Sequence, residues 1–187
     1  MVPDLSGADV SGRDLTGINL SGAKLRQVQL VETNLSGANL TKADLTGANL
    51  NDAILAGSIL YAAVLHKADF AGAFLRWADL SRAVATQANF AGADLRRTHL
   101  ARTTFESANL TSVKVYGTSA WDLNLHGAIQ LDIVITDEGR PEITVDNIEV
   151  AQFIYLLLSN ERIRQIIDTI GRKTVLILGR FTAARKS

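Results

Sequence analysis

Cysteine is absent from the 187-residue chain, and proline and methionine occur only twice and once. The lack of cysteine excludes disulfides and thiolate catalysis. Neither charge is in excess, because 19 basic and 19 acidic side chains balance. Nothing therefore draws the whole molecule toward nucleic acid or an anionic membrane. The densest apolar runs, at 153–158 and 175–178, are too short to cross a bilayer. With no signal-peptide pattern at the start, we expect a soluble, cytoplasmic protein.

What the sequence does contain is a strict period of five residues. From Leu5 to Val115 every fifth residue is apolar, and 17 of these 23 central positions are leucine. The residue two before the central one is alanine in 14 repeats, and the residue one before is Asp or Asn in 13. Glycine recurs two residues after, as at Gly37 and Gly47. One local arrangement must therefore recur along this part of the chain.

Neither regular secondary structure can bury residues that are five apart on one side. An α-helix would spread them around its circumference, and a strand would alternate them between its two faces. A square coil with one pentapeptide per side places every central residue inside. The small residue two positions earlier then also points inward, and the other three positions face water. Glycine suits the corners because it tolerates backbone angles that other residues avoid.

The repeats 38–42 (ANLTK) and 43–47 (ADLTG) resemble the consensus of the pentapeptide repeat family. The resemblance covers residues 3–117 and implies an all-β solenoid, namely a right-handed quadrilateral β-helix with four repeats per coil. On that basis residues 1–117 form nearly six coils. Each coil buries its leucines against the coils above and below, so the ends of the solenoid need caps.

Residues 118–187 lack the repeat and are predicted to form a small α/β segment. Asp146 or Asn147 would cap its first helix, whose apolar face would carry Val150, Phe153, Ile154 and Leu157. In chain order the predicted elements are a strand at 131–136, a turn at 137–141, helices at about 147–158 and 161–170, and a strand at about 174–178.

Two interpretations of this segment are compatible. In the first, it caps the solenoid, with its apolar helix face covering the last coil. In the second, the run from Trp121 to Arg180 resembles the lead-in to a Toll/interleukin-receptor-like domain of some bacterial pentapeptide repeat proteins. That domain would need more than a hundred further residues. Because an isolated apolar strand favours association, we expect the strand at 174–178 to pair with another strand, in a second copy of the chain for example.

Catalytic patterns are weak throughout the sequence. His66, His99 and His126 do not lie at ligand spacing on one element, which favours a structural or solvent-exposed role. The recurrent Asp residues fit a turn requirement of the scaffold better than an acid–base pair. The run 171–174 (GRKT) lacks the upstream glycine of a phosphate loop and precedes a strand. We therefore predict a protein that is not an enzyme and has no cofactor or metal.

Function is more readily encoded at the outward positions, because packing does not dictate their side chains. In the middle coils polar residues give way to large apolar ones, and register predicts that Phe74 lies above Ile54 and Val84 above Val64. Such a surface favours a protein partner, self-association or docking of the tail. The alternative is that apolar side chains are tolerated there and contact one another along the stack. The predicted partner surface comprises Ile54, Ile59, Tyr61, Val64, Phe74, Trp77 and Val84.

A basic edge is the second outward feature. Residues 61–117 carry seven basic and four acidic side chains, whereas residues 1–60 carry four and six. Register stacks these arginines in neighbouring coils, with Trp77 beneath one of them. Such an edge suits an anionic partner, although a solvated charged face is the more common explanation. The residues of this predicted anion-facing edge are Arg76, Arg82, Arg96, Arg97 and Arg102.

Three functions follow from these features. The first is a bacterial, cytoplasmic, non-enzymatic interaction scaffold that self-associates, through the C-terminal segment or the apolar surface. The second is the N-terminal module of a larger protein with a Toll/interleukin-receptor-like nucleotide-binding domain. The third is a DNA mimic that inhibits DNA gyrase or another type II topoisomerase, as some family members do. Ten acidic and eleven basic residues over 1–117 argue against the third. No nucleic acid or membrane partner is expected.

Overall fold

Backbone pairing between residues twenty apart defines the first part of the molecule. A computed structural model describes residues 3–162, 165–166 and 169. The Ile54 N–H donates to the Thr33 carbonyl at 2.9 Å, and the Leu35 N–H donates to the Ile54 carbonyl at 2.7 Å. Parallel bridges of this kind run from Asp4–Lys24 to Lys114–Val134. Four pentapeptides therefore complete one coil, which confirms the predicted four-sided solenoid.

The interior of the coils contains the central residues and the small residues that precede them. Leu35 and Ala38 are both completely buried. The rings of Phe70 and Phe90 stack 4.7 Å apart, and Phe105 meets Phe90 edge-on at 5.5 Å. Each coil thus buries its apolar side chains only against its neighbours, so the stability of the solenoid is the sum of such contacts.

Each corner is a tight turn that needs a positive φ. The Ala38 N–H donates to the Leu35 carbonyl at 3.0 Å, and Gly37 between them has φ 64°. Several corners place a non-glycine residue in this conformation, including Trp77 at 59° and Arg97 at 61°. This left-handed conformation costs an L-residue about 1 kcal/mol of conformational energy. The side chains of Trp77 and Arg97 are therefore present although they lower the stability of the turn.

The Asp or Asn before each central residue satisfies the corner backbone. The Asn34 carboxamide oxygen accepts the Ser36 N–H at 3.1 Å, and Asp14 accepts the Thr16 N–H at 3.0 Å in the same way. This bond between residues two apart recurs at the other Asp and Asn repeats, such as Asp79. The consensus Asp/Asn is therefore a requirement of the turn.

The coils continue beyond residue 117, where the sequence pattern fades. Ser119, Asn124 and Ile129 each form a parallel bridge to the residue twenty earlier, and the last bridge reaches Val134. Ala120 is 6% exposed and takes the place of a central leucine. The pairing uses backbone groups, which do not depend on the side chain at the central position. The leucine period therefore ends before the backbone ladder does.

A short hairpin follows the last coil. Strand β1 (Ile133–Val134) pairs antiparallel with strand β2 (Thr144–Val145). The predicted strand at 131–136 is thus present but shorter. Val134 also pairs with Lys114, which joins the hairpin to the coils. The residues between the two strands include the predicted turn at 137–141, with φ 73° at Gly139.

Helix α1 (Ile148–Ser159) begins and ends one residue later than predicted. The Asn147 side chain caps it by accepting the N–H groups of Glu149 and Val150 at 2.8 and 2.9 Å. Its first turns pack against the coil end, where Gln152 accepts the Ala120 N–H at 2.8 Å.

Within the first turn of this helix, Val150, which was predicted on the apolar face, is 46% exposed, whereas Ile148 and Ala151 are buried. Apolar residues surround most of α1, so periodicity alone did not define one buried face. No helix in the described part of the chain is long and apolar enough to cross a membrane.

The chain divides into two compact units, Met1–Gln152 and Phe153–Ser187. In the second unit, the described residues after α1 include a helical stretch, where the Thr169 hydroxyl donates to the Gln165 carbonyl at 2.7 Å. The predicted helix at 161–170 falls partly outside the described residues. The predicted strand at 174–178 lies entirely outside them.

Candidate interaction surfaces

The described residues offer no obvious metal site. Among them, no group of three or more His, Asp or Glu side chains could hold a metal ion. His99 bridges Asp79 and Ser119 on one face of the coils, whereas His66 and His126 occupy corners. The outward surfaces are therefore the features to consider for function.

The predicted apolar surface is divided among three faces of the coil. Ile54 pairs with Phe74 on one face, and Val64 pairs with Val84 on the opposite face. Ile59 lies on the face between them, next to Asn39 and Asp79. Because a square coil turns a corner every five residues, residues five apart cannot share a flat surface. The seven predicted residues thus form a band around the middle coils.

Four of these residues lie around one edge, which we call the apolar corner: Ile54, Phe74, Trp77 and Ile59. Their exposed fractions are 40%, 50%, 53% and 42%. Ile54 and Phe74 lie on one side of the edge, Trp77 occupies its turn, and Ile59 lies on the next side. Tyr61 belongs to the following edge, where the Arg82 guanidinium lies 5.8 Å from its ring.

The apolar residues also remove a hydrogen bond that the fold makes elsewhere. Asn34 and Asp94, on the same face as Ile54 and Phe74, each accept a backbone N–H from the residue two positions later. Neither an isoleucine nor a phenylalanine can accept that bond. At these positions the turn therefore lacks the side-chain acceptor for its backbone N–H. The presence of an apolar side chain there is not explained by the needs of the turn.

The predicted basic edge is divided between two neighbouring edges of the solenoid. Arg76, Arg96 and Arg97 cluster with Trp77 and form what we call the arginine corner; the Arg97 guanidinium lies 5.8 Å from the Trp77 ring. Arg82 and Arg102 lie on the next edge. Arg102 Nε lies 3.5 Å from the exposed carboxylate of Asp122.

Asp94 organises the arginine corner. Its carboxylate accepts Arg76 Nε at 2.6 Å, Arg96 Nε at 2.8 Å and Arg96 Nη2 at 2.7 Å. The side chains of Asp94 and Arg96 are only 5% and 8% exposed. Burial would raise the pKa of Asp94, but the hydrogen bonds from Arg96 and Arg76 together outweigh it and lower that pKa. The group is therefore ionised at neutral pH.

An acidic turn from the hairpin covers this corner. Glu138 accepts Arg76 Nη1 at 2.9 Å, and Asp137 accepts Arg97 Nη2 at 3.0 Å. The hydrogen bond from Arg76 lowers the pKa of Glu138. Together with Trp77 and Arg96, these four residues surround a cavity of about 220 Å³. In the arginine part of the predicted anion-facing edge, carboxylates of the same chain therefore pair with the guanidinium groups.

The family assignment follows from the repeats that build these corners. A family model for pentapeptide repeats matches residues 4–42, 43–82 and 78–115. The chain belongs to the pentapeptide repeat family. Such repeats form right-handed quadrilateral β-helices, in agreement with the four-sided coils and the prediction from sequence.

Solved pentapeptide repeat proteins are among the structures that resemble this one. HetL, involved in heterocyst differentiation regulation in the cyanobacterium Nostoc sp. strain PCC 7120, is 24% identical, with 68% of this chain and 86% of HetL covered and a TM-score of 0.39. A thylakoid-lumen protein of Arabidopsis thaliana is 31% identical, with 68% and 71% covered and a TM-score of 0.25.

A trypsin-treated variant of QnrB1, a plasmid-mediated fluoroquinolone resistance protein, is 17% identical, with 67% of this chain and 75% of that chain covered and a TM-score of 0.49. The sequence matches no curated protein.

Sequence reasoning missed the closure of the arginine corner. Asp137 and Glu138 were assigned to a turn, which they do form. Their partners Arg97 and Arg76 lie 40 and 62 residues earlier, so no local spacing links them. The one available signal was the acidic pair itself, placed in a turn after coils that carry an excess of arginine.

Proposed function

We propose that this pentapeptide repeat protein is a non-enzymatic interaction scaffold that binds a protein partner through the apolar corner. The observation that carries the proposal is the loss of the turn acceptor at Ile54, Ile59 and Phe74. At each of these positions the fold gives up a hydrogen bond that Asp or Asn makes elsewhere, in exchange for a side chain at least 40% exposed. Sites of interaction commonly show such a sacrifice of local stability.

The composition of the corner also suits a protein contact. Aromatic residues are enriched at the centres of protein interfaces, and Phe74 and Trp77 lie at the same edge here. Trp77 is held at φ 59°, a conformation that glycine would adopt without strain. A large side chain is therefore present where the backbone favours none. Self-association is the simplest case of such a contact, with a second copy of the chain as the partner.

Charge argues against DNA mimicry as an alternative. A mimic of duplex DNA would display rows of unpaired carboxylates. Residues 1–134 contain 12 acidic and 11 basic side chains, and several of the acidic ones are paired, such as Asp44 with Arg26 at 2.6 Å. The alternative of a module that leads into a Toll/interleukin-receptor-like domain rests on the run from Trp121 to Arg180, whose last strand lies outside the described part, and no described contact favours it.

The test is partner capture with a variant that the fold should accept. We would replace Ile54, Ile59 and Phe74 by Asn, because Asn is uncharged and occupies the same faces in neighbouring coils. The matched control is Asn34→Asp with Asn39→Asp, which changes polar residues on those faces and leaves the apolar corner intact. Wild type and control should self-associate, or retain the same protein from source-cell lysate, and the triple variant should not. Equal behaviour of all three would contradict the proposal.

A further inference from the structure

The chain's own acidic turn lies on the arginine corner, and this contact indicates a ligand. We propose that the arginine corner binds an acidic peptide segment of a partner protein, and that Asp137 and Glu138 occupy the site as an internal competitor. The inference rests on the proposed function as a scaffold, but it concerns other residues than Ile54, Ile59 and Phe74.

The arginine side chains are held in place before any ligand binds. Asp94 contacts both Arg76 and Arg96, and its own side chain is 5% exposed. Arg97 lies against Trp77, which restricts the guanidinium further. Ordering arginine side chains costs conformational entropy, and here the fold has already met that cost. The site is thus preorganised for carboxylates.

The acidic turn, in contrast, is held mainly by charge. Ile135, directly after β1, is partly buried and packs against the core, but residues 138–144 are all exposed, so no buried apolar side chain anchors the tip of the hairpin. Its described contacts with the coils are the ion pairs of Glu138 with Arg76 and of Asp137 with Arg97 and Arg96. The base of the hairpin is fixed separately, through the Lys114–Val134 bridge. The turn can therefore leave the corner while the strands stay paired.

Charge and spacing favour an acidic peptide as the competing ligand. Without the turn, three arginines face one buried carboxylate, that of Asp94, and the corner carries a net positive charge. Arg76 and Arg97 lie on neighbouring coils, which are about 5 Å apart. The consecutive residues Asp137 and Glu138 already span that distance. Duplex DNA would need a longer basic surface, and the chain has no net positive charge to provide it.

The experiment measures binding of a fluorescently labelled oligo-aspartate peptide at low ionic strength by anisotropy. The double variant Asp137→Asn/Glu138→Gln removes the competing charges and should bind the peptide about tenfold more tightly than wild type, since the competing turn is held by exposed ion pairs. Asp122→Asn is the matched control. It frees Arg102 on the neighbouring edge and should leave the affinity unchanged.

A second substitution locates the site. Adding Arg97→Gln to the double variant should abolish the gain, whereas adding Arg102→Gln should not. Glutamine fits this backbone, because Gln27 and Gln87 have φ 56° and 59° at equivalent corners. Equal affinities of wild type and double variant, or binding that survives Arg97→Gln, would overturn the proposal. So would stronger binding of duplex DNA than of the peptide.

The peptide assay also separates this inference from the proposed function. The triple variant at Ile54, Ile59 and Phe74 should bind the peptide with the same affinity as the protein into which the three substitutions are introduced, whether that is wild type or Asp137→Asn/Glu138→Gln. If the triple variant retains the partner of the apolar corner while peptide binding follows Arg97, the proposed function fails and this inference stands. Loss of peptide binding in the triple variant would show that the two surfaces are one.

Discussion

Two copies of one arginine–aspartate pair show how the same repeat geometry gives different environments. In the first coils Arg26 Nε lies 2.6 Å from Asp44 Oδ2, and further along Arg76 Nε lies 2.6 Å from Asp94 Oδ2. Both pairs join residues 18 apart. The Arg26–Asp44 side chains are 66% and 23% exposed, whereas the Arg76–Asp94 side chains are 27% and 5% exposed.

The difference comes from what surrounds each pair. Asp44 receives its other side-chain hydrogen bond from Thr46, but Asp94 receives two from Arg96, and the hairpin turn lies over that cluster. The repeat therefore fixes the geometry of the pair, and the non-repeating hairpin decides its burial. A surface ion pair contributes little to stability, whereas a buried charge needs all its partners.

The largest loss of unfolding free energy should come from replacing Asp94, with the same replacement at Asp44 as the comparison. Asp94→Ala leaves the buried Arg96 without its carboxylate and should cost about 3 kcal/mol of unfolding free energy. Asp44→Ala breaks an exposed pair and a turn bond and should cost about 1 kcal/mol. Urea denaturation of the two variants measures both. Equal losses would show that the hairpin does not change the environment of Asp94.

Acid should weaken both copies, with the sign set by their pKa values. Burial raises the pKa of each aspartate, but hydrogen bonds outweigh it and the net pKa falls for both. Each carboxylate thus stabilises the fold above its unfolded pKa of about 3.9, and this contribution is lost as pH falls through the lower folded pKa.

Thermal unfolding from pH 7 downward checks this expectation. Asp94→Asn, which cannot ionise, should lose less stability below about pH 4 than wild type does. The conclusion would be wrong if wild type and Asp94→Asn showed the same acid dependence.

Removing the charges of the acidic turn should make the environment of the Arg76–Asp94 pair more like that of the exposed Arg26–Asp44 pair. Replacing Asp137 by Asn and Glu138 by Gln removes the carboxylates that cover Arg76 and Arg97. Because those contacts are exposed, we expect Tm to fall by only roughly 1–2 °C at low salt. High salt should abolish the difference, since it screens the wild-type contacts. A difference that persists in high salt would mean that the turn is held by more than charge.

The smallest changes in unfolding free energy are expected on the face of the coils that carries Asn34 and Ile54. Asn34→Ile removes the bonds that Asn34 accepts from the Ser36 backbone and hydroxyl groups, and it should cost up to about 1 kcal/mol. Ile54→Asn introduces that acceptor on the next coil and should change the unfolding free energy by less than about 0.5 kcal/mol. Denaturant titration compares them. A large loss for Ile54→Asn would show that Ile54 serves stability.

The repeat was predictable because each position has the same physical role in every coil. Leu35 and Leu55 had to be buried, and Asn34 had to be near a turn, whatever the rest of the chain does. Helix α1 was predicted to within one residue at each end because Asn147 is a strong local cap. These features depend only on neighbours in sequence or on the period itself.

The parts that were not predictable depend on distant contacts. The coils extend to Val134 because backbone bridges do not need a central leucine. The exposed apolar residues were identified from the sequence, but they were grouped into one surface. Val64 and Val84 in fact lie on the face opposite to that of Ile54, because the coil turns a corner every five residues. The cover over the arginine corner depends on the path of the hairpin, which no short pattern records.

The central claim, a protein contact at the apolar corner, is tested most directly by hydroxyl-radical footprinting of the chain with its captured partner or at self-associating concentrations. Phe74 is 50% exposed in the apolar corner, and Trp121, at 57%, lies outside it and serves as an internal reference. We predict that oxidation of Phe74 falls on association while that of Trp121 is unchanged. Protection of Trp121 with Phe74 still fully oxidised would contradict the account.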